Sequence, residues 1–552
     1  MITLVQLYKR QIFSVVVITA IAVGIIFSPF VCPVYWDEMP QYRIGEYNFN
    51  QYVLVFDHIF GTSFSDPAFA DFDRFGDKDY GSVFEVFISG IGRIAAKLFP
   101  EFGLAELIIL KHFAVYLVFM LGTYGVYSIA RRRLECQYGG LLAAAVFFLS
   151  PRLFGNAFYN SKDIVFLSFF VLSINYVILA AETGKARSIL LASIFTALAV
   201  SVRFIGIFSL FLGIFVWFVS WYRDGWSFKK ISLYIFFTAI LILLLIYALY
   251  PFLWPSPMFR ARDIVLAMSK FSRHPDWSLF DGEWIRSSLK PFYLLRWMSV
   301  TLPCTFIVAS LCGQLPAMAL IIKRTLKFSL WKNQKELTDY ISVGLGLAPL
   351  LLSFIKHPWL YDGWRHFYFL MPFFSISAAV GIFNIVSVLP SIKARITAAS
   401  WLAFTVILES LAGIVYFFPY PNCYFNVLAG ANLIARYDLD YAETSGYAAM
   451  VKVLSFNPKI SKPLSVAAVG MDLSKVSPRL GQAEKLLDLN EKIMPDYVIT
   501  KGAALSVTEK QLYNEIYAVK TVSGEVLARI LAPNEKRDRI CKQKQEKCVI
   551  HR

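Results

Sequence analysis

The stretch QIFSVVVITAIAVGIIFSPFV, residues 11–31, decides the fold class of this chain. It is an apolar run of the length that crosses the roughly 30 Å hydrocarbon core of a bilayer as a helix. Lys9 and Arg10 precede it, and positive charge before a first span predicts a cytoplasmic amino terminus. A cleaved signal peptide is the competing interpretation, which the length of the run and the lack of a clear small-residue cleavage site disfavour.

The composition of the whole chain agrees with a membrane protein. Of its 552 residues, 57% are hydrophobic and only 17% are charged, whereas soluble domains are about a quarter charged. So few charges do not cover a water-facing surface of this size, which argues against intrinsic disorder, a secreted disulfide scaffold and a nucleic-acid-binding domain. The net charge of +16 is therefore attributed to basic cytoplasmic loops and to contact with anionic lipid or a phosphate ligand.

Further apolar segments predict, together with the first, a mainly α polytopic membrane bundle of about eleven transmembrane helices. Every short loop that this order places inside carries Lys or Arg, as Arg131–Arg133 do after the second segment. Two long outer loops are left, at residues 32–107 and 251–299, and residues 1–418 form the predicted transmembrane module. The further segments lie near residues 108–130, 137–150, 164–182, 188–202, 204–222, 231–250, 300–322, 339–355, 366–388 and 396–418.

The composition changes after residue 418, and residues 419–552 predict a small water-soluble α/β domain that ends in a basic tail. An odd number of spans places this domain outside the cytoplasm. Its predicted strands are LSVAAVG, PDYVITK and VLARILA at residues 464–470, 495–501 and 526–532, and its predicted helices lie at 477–487 and 508–517.

Two adjacent carboxylates, Asp37 and Glu38, follow the first span directly in the sequence YWDE. A carboxylate at the outer membrane edge suits a general base that withdraws the proton of an attacking hydroxyl group, while its neighbour orients a group or holds a cation. The alternative interpretation is a solvated loop start, where acidic residues are common. We assign both residues to catalysis.

A second acidic candidate lies later in the first outer loop, in DKDYG at residues 77–81. Asp79 and Tyr80 are its candidate substrate contacts. The alternative interpretation is a turn that precedes the amphipathic stretch 82–98, which we expect to lie in the membrane interface.

Basic residues also occur on the predicted outer side, where positive charge is unusual. Arg203, between apolar neighbours, either snorkels to a lipid headgroup or binds an anionic ligand. Because helix ends on one side of a bundle can converge, we expect these cations to form one pocket, and guanidinium groups match phosphate oxygens. A phosphate whose apolar body stays in the bilayer points to a polyprenyl phosphate. The cations assigned to this pocket are Arg152, Lys162, Arg203 and Arg365.

Together these features resemble the C-type (GT-C) membrane glycosyltransferases. More narrowly, they resemble glycosyltransferase family 39, which includes protein O-mannosyltransferases and the lipid A aminoarabinose transferase. The resemblance rests on the acidic pair, on SPRLFG at residues 150–155 through Lys162 and Asp163, and on YDGWRH at residues 361–366. It covers most of residues 1–445, whereas the C-terminal domain adds little.

The resemblance implies an inverting enzyme that moves a hexosyl or pentosyl group from a polyprenyl-phosphate sugar to a hydroxyl acceptor on the outer side. The family's catalytic base is the acidic residue just after the first helix, which corresponds to Asp37, with Glu38 beside it. Basic residues of the outer loops hold the donor phosphate in the family, and Arg203 lies where the family often has lysine. The residues expected to contact substrate are Asp79, Tyr80, Asp163, Tyr361 and His366.

We expect a polyprenyl-phosphate sugar donor, membrane lipids and a glycan, lipid or protein acceptor as partners, no nucleic acid, and a location in the bacterial inner membrane. No cofactor is predicted with certainty, but a divalent metal held by Asp37 and Glu38 is an alternative, because carboxylates bind hard cations. A transporter or flippase of a lipid-linked or anionic substrate is the main rival function, although the sequence lacks two related halves. A ligase or polymerase of lipid-linked glycans is the third.

Overall fold

The computed structural model describes residues 22–24, 35, 37–269, 277–286, 292–327, 329–358, 360, 363–440, 442–456, 466–469, 495–501 and 513–534. The described chain is mainly helical, as predicted. Its α-helices are, in chain order, α1 Glu38–Phe60, α2 Val83–Leu98, α3 Leu104–Leu134, α4 Gln137–Phe148, α5 Pro151–Asn156, α6 Asp163–Thr183, α7 Ala186–Val200, α8 Phe208–Arg223, α9 Phe228–Leu249, α10 Pro257–Ser269, α11 Tyr293–Thr301, α12 Cys304–Thr325, α13 Gln334–Lys356, α14 Met371–Ser387, α15 Ile392–Tyr416, α16 Leu433–Arg436 and α17 Thr444–Phe456.

Eight of the described helices are long and apolar enough to cross a membrane: α3, α6, α8, α9, α12, α13, α14 and α15. Short 3-10 turns, Phe204–Ile207 and Arg365–Leu370, extend α8 and α14 at their starts. Two shorter apolar helices, α4 and α7, correspond to further predicted spans. The predicted first span, residues 11–31, lies outside the described residues except for 22–24. The polytopic bundle is confirmed, whereas the count of eleven spans is not.

The centre of the bundle is formed by α6 and α14, whose residues are mostly buried. Outer helices such as α9 and α15 expose large apolar side chains, among them Phe236, Leu244 and Phe404, which face lipid in a membrane. α6 also packs on the turn Arg365–Leu370 that precedes α14. Side chains at the starts of these two central helices are therefore held by closely packed, mostly buried helices, which favours a precise site there.

The two long outer segments of the prediction are folded where they are described. Helices α1 and α2 lie within residues 32–107 and pack on each other. Helix α2 buries Phe84 and Ile88 and exposes Phe87. Helices α10 and α11 and a hairpin of strands β1 (Trp277–Phe280) and β2 (Glu283–Arg286) lie within residues 251–299.

The C-terminal region contains a four-stranded sheet in the order β3-β4-β6-β5. Strands β3 and β4 are parallel and the other pairs are antiparallel, and the three predicted strands correspond to β3, β4 and β6. The predicted helix at 508–517 is wrong from residue 513 onward, because Tyr513–Lys520 forms β5 and pairs with β6. Aromatic and β-branched residues favour this extended pairing. The predicted helix at 477–487 lies outside the described residues. The strands are β3 Val466–Val469, β4 Tyr497–Lys501, β5 Tyr513–Lys520 and β6 Val526–Pro533.

One end of the bundle collects basic residues of the predicted inner loops. At the end of α3, Arg133 Nε and Nη2 donate to the two carboxylate oxygens of Asp339, at 2.6 and 2.8 Å. Arg324 Nη2 lies 2.6 Å from Glu336 Oε1 in the neighbouring helix pair. Basic residues from two of the predicted inner loops therefore lie at ion-paired positions, after α3 and between α12 and α13.

Candidate active site

Acidic and basic side chains from four distant segments meet at the end of the bundle where α6 begins. Asp37 Oδ2 lies 3.2 Å from Arg365 Nη1, and the same nitrogen lies 3.8 Å from Asp163 Oδ2. Arg203 Nη2 donates to the other carboxylate oxygen of Asp163, Oδ1. We call these four residues and Lys162 the charged cluster. Asp37 and Arg365, which are far apart in the chain, are therefore neighbours in the fold.

The start of α6 holds Asp163 in place. Asn160 Oδ1 accepts a hydrogen bond from the Asp163 N–H at 2.9 Å, and Asn160 Nδ2 donates to Asp163 Oδ2 at 3.0 Å. This local side-chain bonding fixes the carboxylate between Arg203 and Arg365. Asp37 is the N-cap residue of α1, but its side chain does not cap that helix. Its carboxylate is instead turned to Arg365.

Tyr80 reaches the charged cluster because the first outer segment packs on the turn after α7. A Cβ on Gly81 would lie 2.5 Å from the carbonyl oxygens of both Ser201 and Val202, so this approach requires glycine. The Tyr80 ring then lies against Lys162, whose Nζ is 3.5 Å from the ring centroid. Such cation–π contact favours the charged ammonium at this position.

The charged cluster has one net positive charge at neutral pH, because its three cations face two carboxylates. Burial and the nearby Arg203 lower the pKa of Lys162 to about 8, so its amine is still mainly protonated at neutral pH. Asp37 is the more open carboxylate, since its side chain is 23% exposed against 2% for Asp163. This surplus of positive charge favours an anion, and one accessible carboxylate lies at its edge.

Glu38 has a different environment from its neighbour Asp37. It is 1% exposed, with Oε1 at 2.7 Å from Lys111 Nζ and Oε2 at 2.8 Å from His112 Nε2. Burial raises its pKa, but the opposing effects of Lys111 and His112 are larger together and bring the pKa to about 2. A carboxylate held so strongly as an anion is a poor proton acceptor. The geometry therefore does not fit the catalytic role that we expected for Glu38.

Arg152 is packed among other groups. It is 1% exposed, and its Nε donates to the Tyr424 carbonyl oxygen at 3.0 Å. Its guanidinium carbon lies 4.7 Å from the ring centroid of Phe425 and 5.4 Å from that of Trp297. Two aromatic rings lie against the guanidinium group, and its Nη1 and Nη2 are buried and make no hydrogen bond within the described residues. We therefore favour a packing role for Arg152, and its place in the phosphate pocket stays a prediction.

The remaining predicted substrate residues differ in what the structure shows of them. His366 is half-buried in the turn before α14 and lies close enough to Asp163 for the two to interact electrostatically. The Asp79 carbonyl accepts a hydrogen bond from the Tyr250 hydroxyl. Asp79 directly precedes Tyr80, whose ring lies against Lys162. Tyr361 lies outside the described residues.

The Asp37–Glu38 pair does not form a metal site in this arrangement. The Glu38 carboxylate contacts Lys111 and His112, whereas the Asp37 carboxylate faces Arg365, so their oxygens do not converge on one point. Within the part of the chain that the structure describes, no group of three or more His, Cys, Asp or Glu side chains could hold a metal ion.

The sequence interpretation missed the ionisable pair Lys111 and His112 inside α3. A lysine within an apolar span is unfavourable in lipid and is a functional candidate for that reason. The segment 108–130 contains both residues, so the signal was present. Glu85 in α2, the second partner of Lys111, is also buried and could not be found from its position in the sequence.

No family model and no curated protein matches the sequence. The structure of ArnT from Cupriavidus metallidurans in the apo state is similar over 94% of this chain and 98% of that chain, with 12% identity and a TM-score of 0.46. The structure of ArnT from the same organism bound to undecaprenyl phosphate is similar over 93% and 97%, with 12% identity and a TM-score of 0.43. At these TM-scores the likeness assigns no residue, ligand or activity to this chain.

Proposed function

We propose that this integral membrane protein is an inverting glycosyltransferase that moves a sugar from a polyprenyl-phosphate donor to a hydroxyl acceptor. The observation that carries this proposal is the charged cluster, which places one surplus positive charge beside one accessible carboxylate at an end of a lipid-embedded bundle. A polyprenyl-phosphate sugar is a phosphodiester with a single negative charge, which matches that surplus. Its apolar chain stays in the bilayer beside the helices.

The cations of the charged cluster hold the donor phosphate in this mechanism. When the bond between the sugar C1 and the phosphate oxygen breaks, the phosphodiester becomes a phosphomonoester and gains a second negative charge. Arg203, Arg365 and Lys162 are already in place around this charge, and preorganised donors stabilise it without rearrangement. The leaving group therefore needs no proton from the protein.

Asp37 accepts the proton of the acceptor hydroxyl. In the structure its carboxylate is paired with Arg365 at 3.2 Å, and an arriving phosphate competes for the same guanidinium group. Donor binding thereby loosens this ion pair and leaves Asp37 facing the acceptor. The hydroxyl oxygen attacks C1 opposite the phosphate through an oxocarbenium-like state, its proton passes to Asp37, and the electron pair of the broken bond stays on the phosphate.

The reaction lies on the outer, periplasmic side of a bacterial inner membrane in this proposal. Lys111, near the start of α3, contacts Glu38 beside the charged cluster, whereas Arg131–Arg133 lie at the end of the same helix. The cluster and the basic loops are therefore at opposite ends of α3. Cytoplasmic loops carry the excess of Lys and Arg in membrane proteins, which supports the proposed orientation.

The test offers radiolabelled polyprenyl-phosphate sugars to the purified full-length protein in detergent or lipid, with glycan, lipid and protein fractions as acceptors. A protein-dependent product with an inverted glycosidic bond is the expected result. Label that accumulates inside sealed vesicles without any glycosidic product would instead identify a transporter or flippase and overturn the proposal. Transfer of a whole lipid-linked glycan would identify a ligase or polymerase.

A further inference from the structure

A buried ion network lies next to the charged cluster. Lys111 of α3 is 3% exposed, and its Nζ lies 2.7 Å from Glu38 Oε1 and 3.4 Å from Glu85 Oε2. His112 is fully buried, with Nε2 at 2.8 Å from Glu38 Oε2. The other oxygen of the Glu85 carboxylate, Oε1, accepts a hydrogen bond from Ser161 Oγ. The Lys111 ammonium thus joins α3 to α1 and α2, and Glu85 joins the link before α6 to the same network.

The network adjoins the charged cluster at two places in the chain. Glu38 directly follows Asp37, and Ser161 directly precedes Lys162. Consecutive Cα atoms are only about 3.8 Å apart, so a displacement of either network residue also displaces its neighbour in the charged cluster. The segment with the proposed base and the segment with a proposed phosphate ligand are therefore both fixed by contacts that start at Lys111.

We propose that Lys111 is a positioning residue that sets the place of the Asp37 carboxylate relative to the Lys162 ammonium across the site. The inference rests on the proposed function, because it concerns how the proposed base and phosphate ligand are arranged. Lys111 itself is buried and has no face toward a ligand. It acts through Glu38 on one side and through Glu85 on the other.

A gain in folding stability is a weak explanation for the presence of such a buried ion network. Taking an ammonium and two carboxylates out of water is costly, and well-packed apolar replacements of buried ion pairs are often neutral or stabilising. An ammonium in contact with two carboxylates, however, holds two segments at short distances from one nitrogen, where apolar packing would let them slide. Such a restraint is what a site with a base and a phosphate ligand on different segments requires.

The experiment measures binding of undecaprenyl phosphate to the full-length protein in detergent for wild type, Lys111→Met and a control, Arg133→Met. The control removes the ion pair with Asp339 at the far end of the same helix. We expect Lys111→Met to weaken binding about tenfold, since a misplacement of about 1 Å can reduce an enzyme's efficiency on the order of a hundredfold. The control should leave the dissociation constant unchanged, and Lys111→Arg, which keeps the charge, should restore most of the affinity.

Ser161→Ala is a milder variant that keeps the test decisive if Lys111→Met does not fold. It removes only the hydroxyl that binds Glu85 and should weaken binding by about threefold, in line with the loss of one hydrogen bond. Wild-type affinity in Lys111→Met, or in Ser161→Ala where Lys111→Met does not fold, would overturn the positioning role while leaving the proposed function intact. An equal loss in Arg133→Met would reveal general destabilisation and also overturn it. If the wild-type protein binds no undecaprenyl phosphate, the proposed function fails and this inference fails with it.

Discussion

Replacing Gly81 by alanine tests the contact that brings the first outer segment to the charged cluster. The added Cβ would lie 2.5 Å from the carbonyl oxygens of Ser201 and Val202, about 1 Å closer than a comfortable non-bonded contact. Both oxygens belong to the backbone and do not rotate away, so the segment itself must move. Overpacking of this kind is destabilising by about 1–3 kcal/mol, and we expect Gly81→Ala to lie near the upper end of that range.

Hydrogen exchange of the segment that follows Gly81 reports this change directly. The Val83 N–H donates to the Ser201 carbonyl at 3.3 Å, so its protection depends on the docked position. A loss of about 3 kcal/mol corresponds to exchange that is faster by roughly a hundredfold in peptides covering this amide. Gly76→Ala is the control from the same segment, because a Cβ there meets no atom within 4 Å. Equal protection of Val83 in both variants would refute the docking.

Three further predictions concern the charged groups. Binding of undecaprenyl phosphate should weaken as the pH rises through about 8, because Lys162 loses its proton there. The affinity of Lys162→Arg should not fall in this range, and any pH dependence that remains in this variant comes from protonation of the ligand. Glu38→Gln should be less stable than wild type by about 3 kcal/mol at neutral pH, since the pKa of Glu38 is about 2 instead of 4.5. This difference should disappear as the pH falls from 4.5 through 2, which acid-unfolding curves would show. Arg152→Met should lower the melting temperature but change ligand affinity by less than about twofold, whereas Arg365→Gln should weaken binding about tenfold, as expected for a lost charge-assisted hydrogen bond.

The location of the candidate site was predictable because span ends alternate between the two faces of a bundle. Asp37, Arg203 and Arg365 each stand at an outer end in the predicted order, and the structure joins them through Asp163. Loop charges set the orientation of that order. The sequence therefore carried enough information to bring distant segments to one face, although not to specify which atoms touch.

The contacts that each charged group makes could not be predicted from the sequence. Asp37 and Glu38 are adjacent, but successive residues at the start of a helix point about 100° apart, so one faces Arg365 and the other Lys111. The aromatic neighbours of Arg152 come from segments far along the chain, so the sequence did not indicate these contacts. Packing between distant elements decides these environments, and periodicity and loop charge do not describe it.

The error in the C-terminal region has a similar cause. Residues 508–517 were predicted as a helix from local pattern, yet Tyr513–Lys520 pairs along β6 as strand β5. The hydrogen bonds and side-chain contacts of that pairing come from a partner strand and outweigh local helix preference. The strands β4 and β6 lie in the interior of the sheet and have short apolar runs, which made them visible in the sequence.

The central claim is that Asp37 accepts the acceptor's proton beside a bound donor phosphate, and sugar transfer by Asp37→Asn tests it most directly. Asp77→Asn, in the first outer segment, is the matched control for the loss of one carboxylate. We predict that Asp37→Asn loses transfer by at least about a hundredfold, the usual size of a general-base contribution, while it binds undecaprenyl phosphate as well as wild type or better. Asp77→Asn should keep its transfer rate. Undiminished transfer by a folded Asp37→Asn protein would contradict the account.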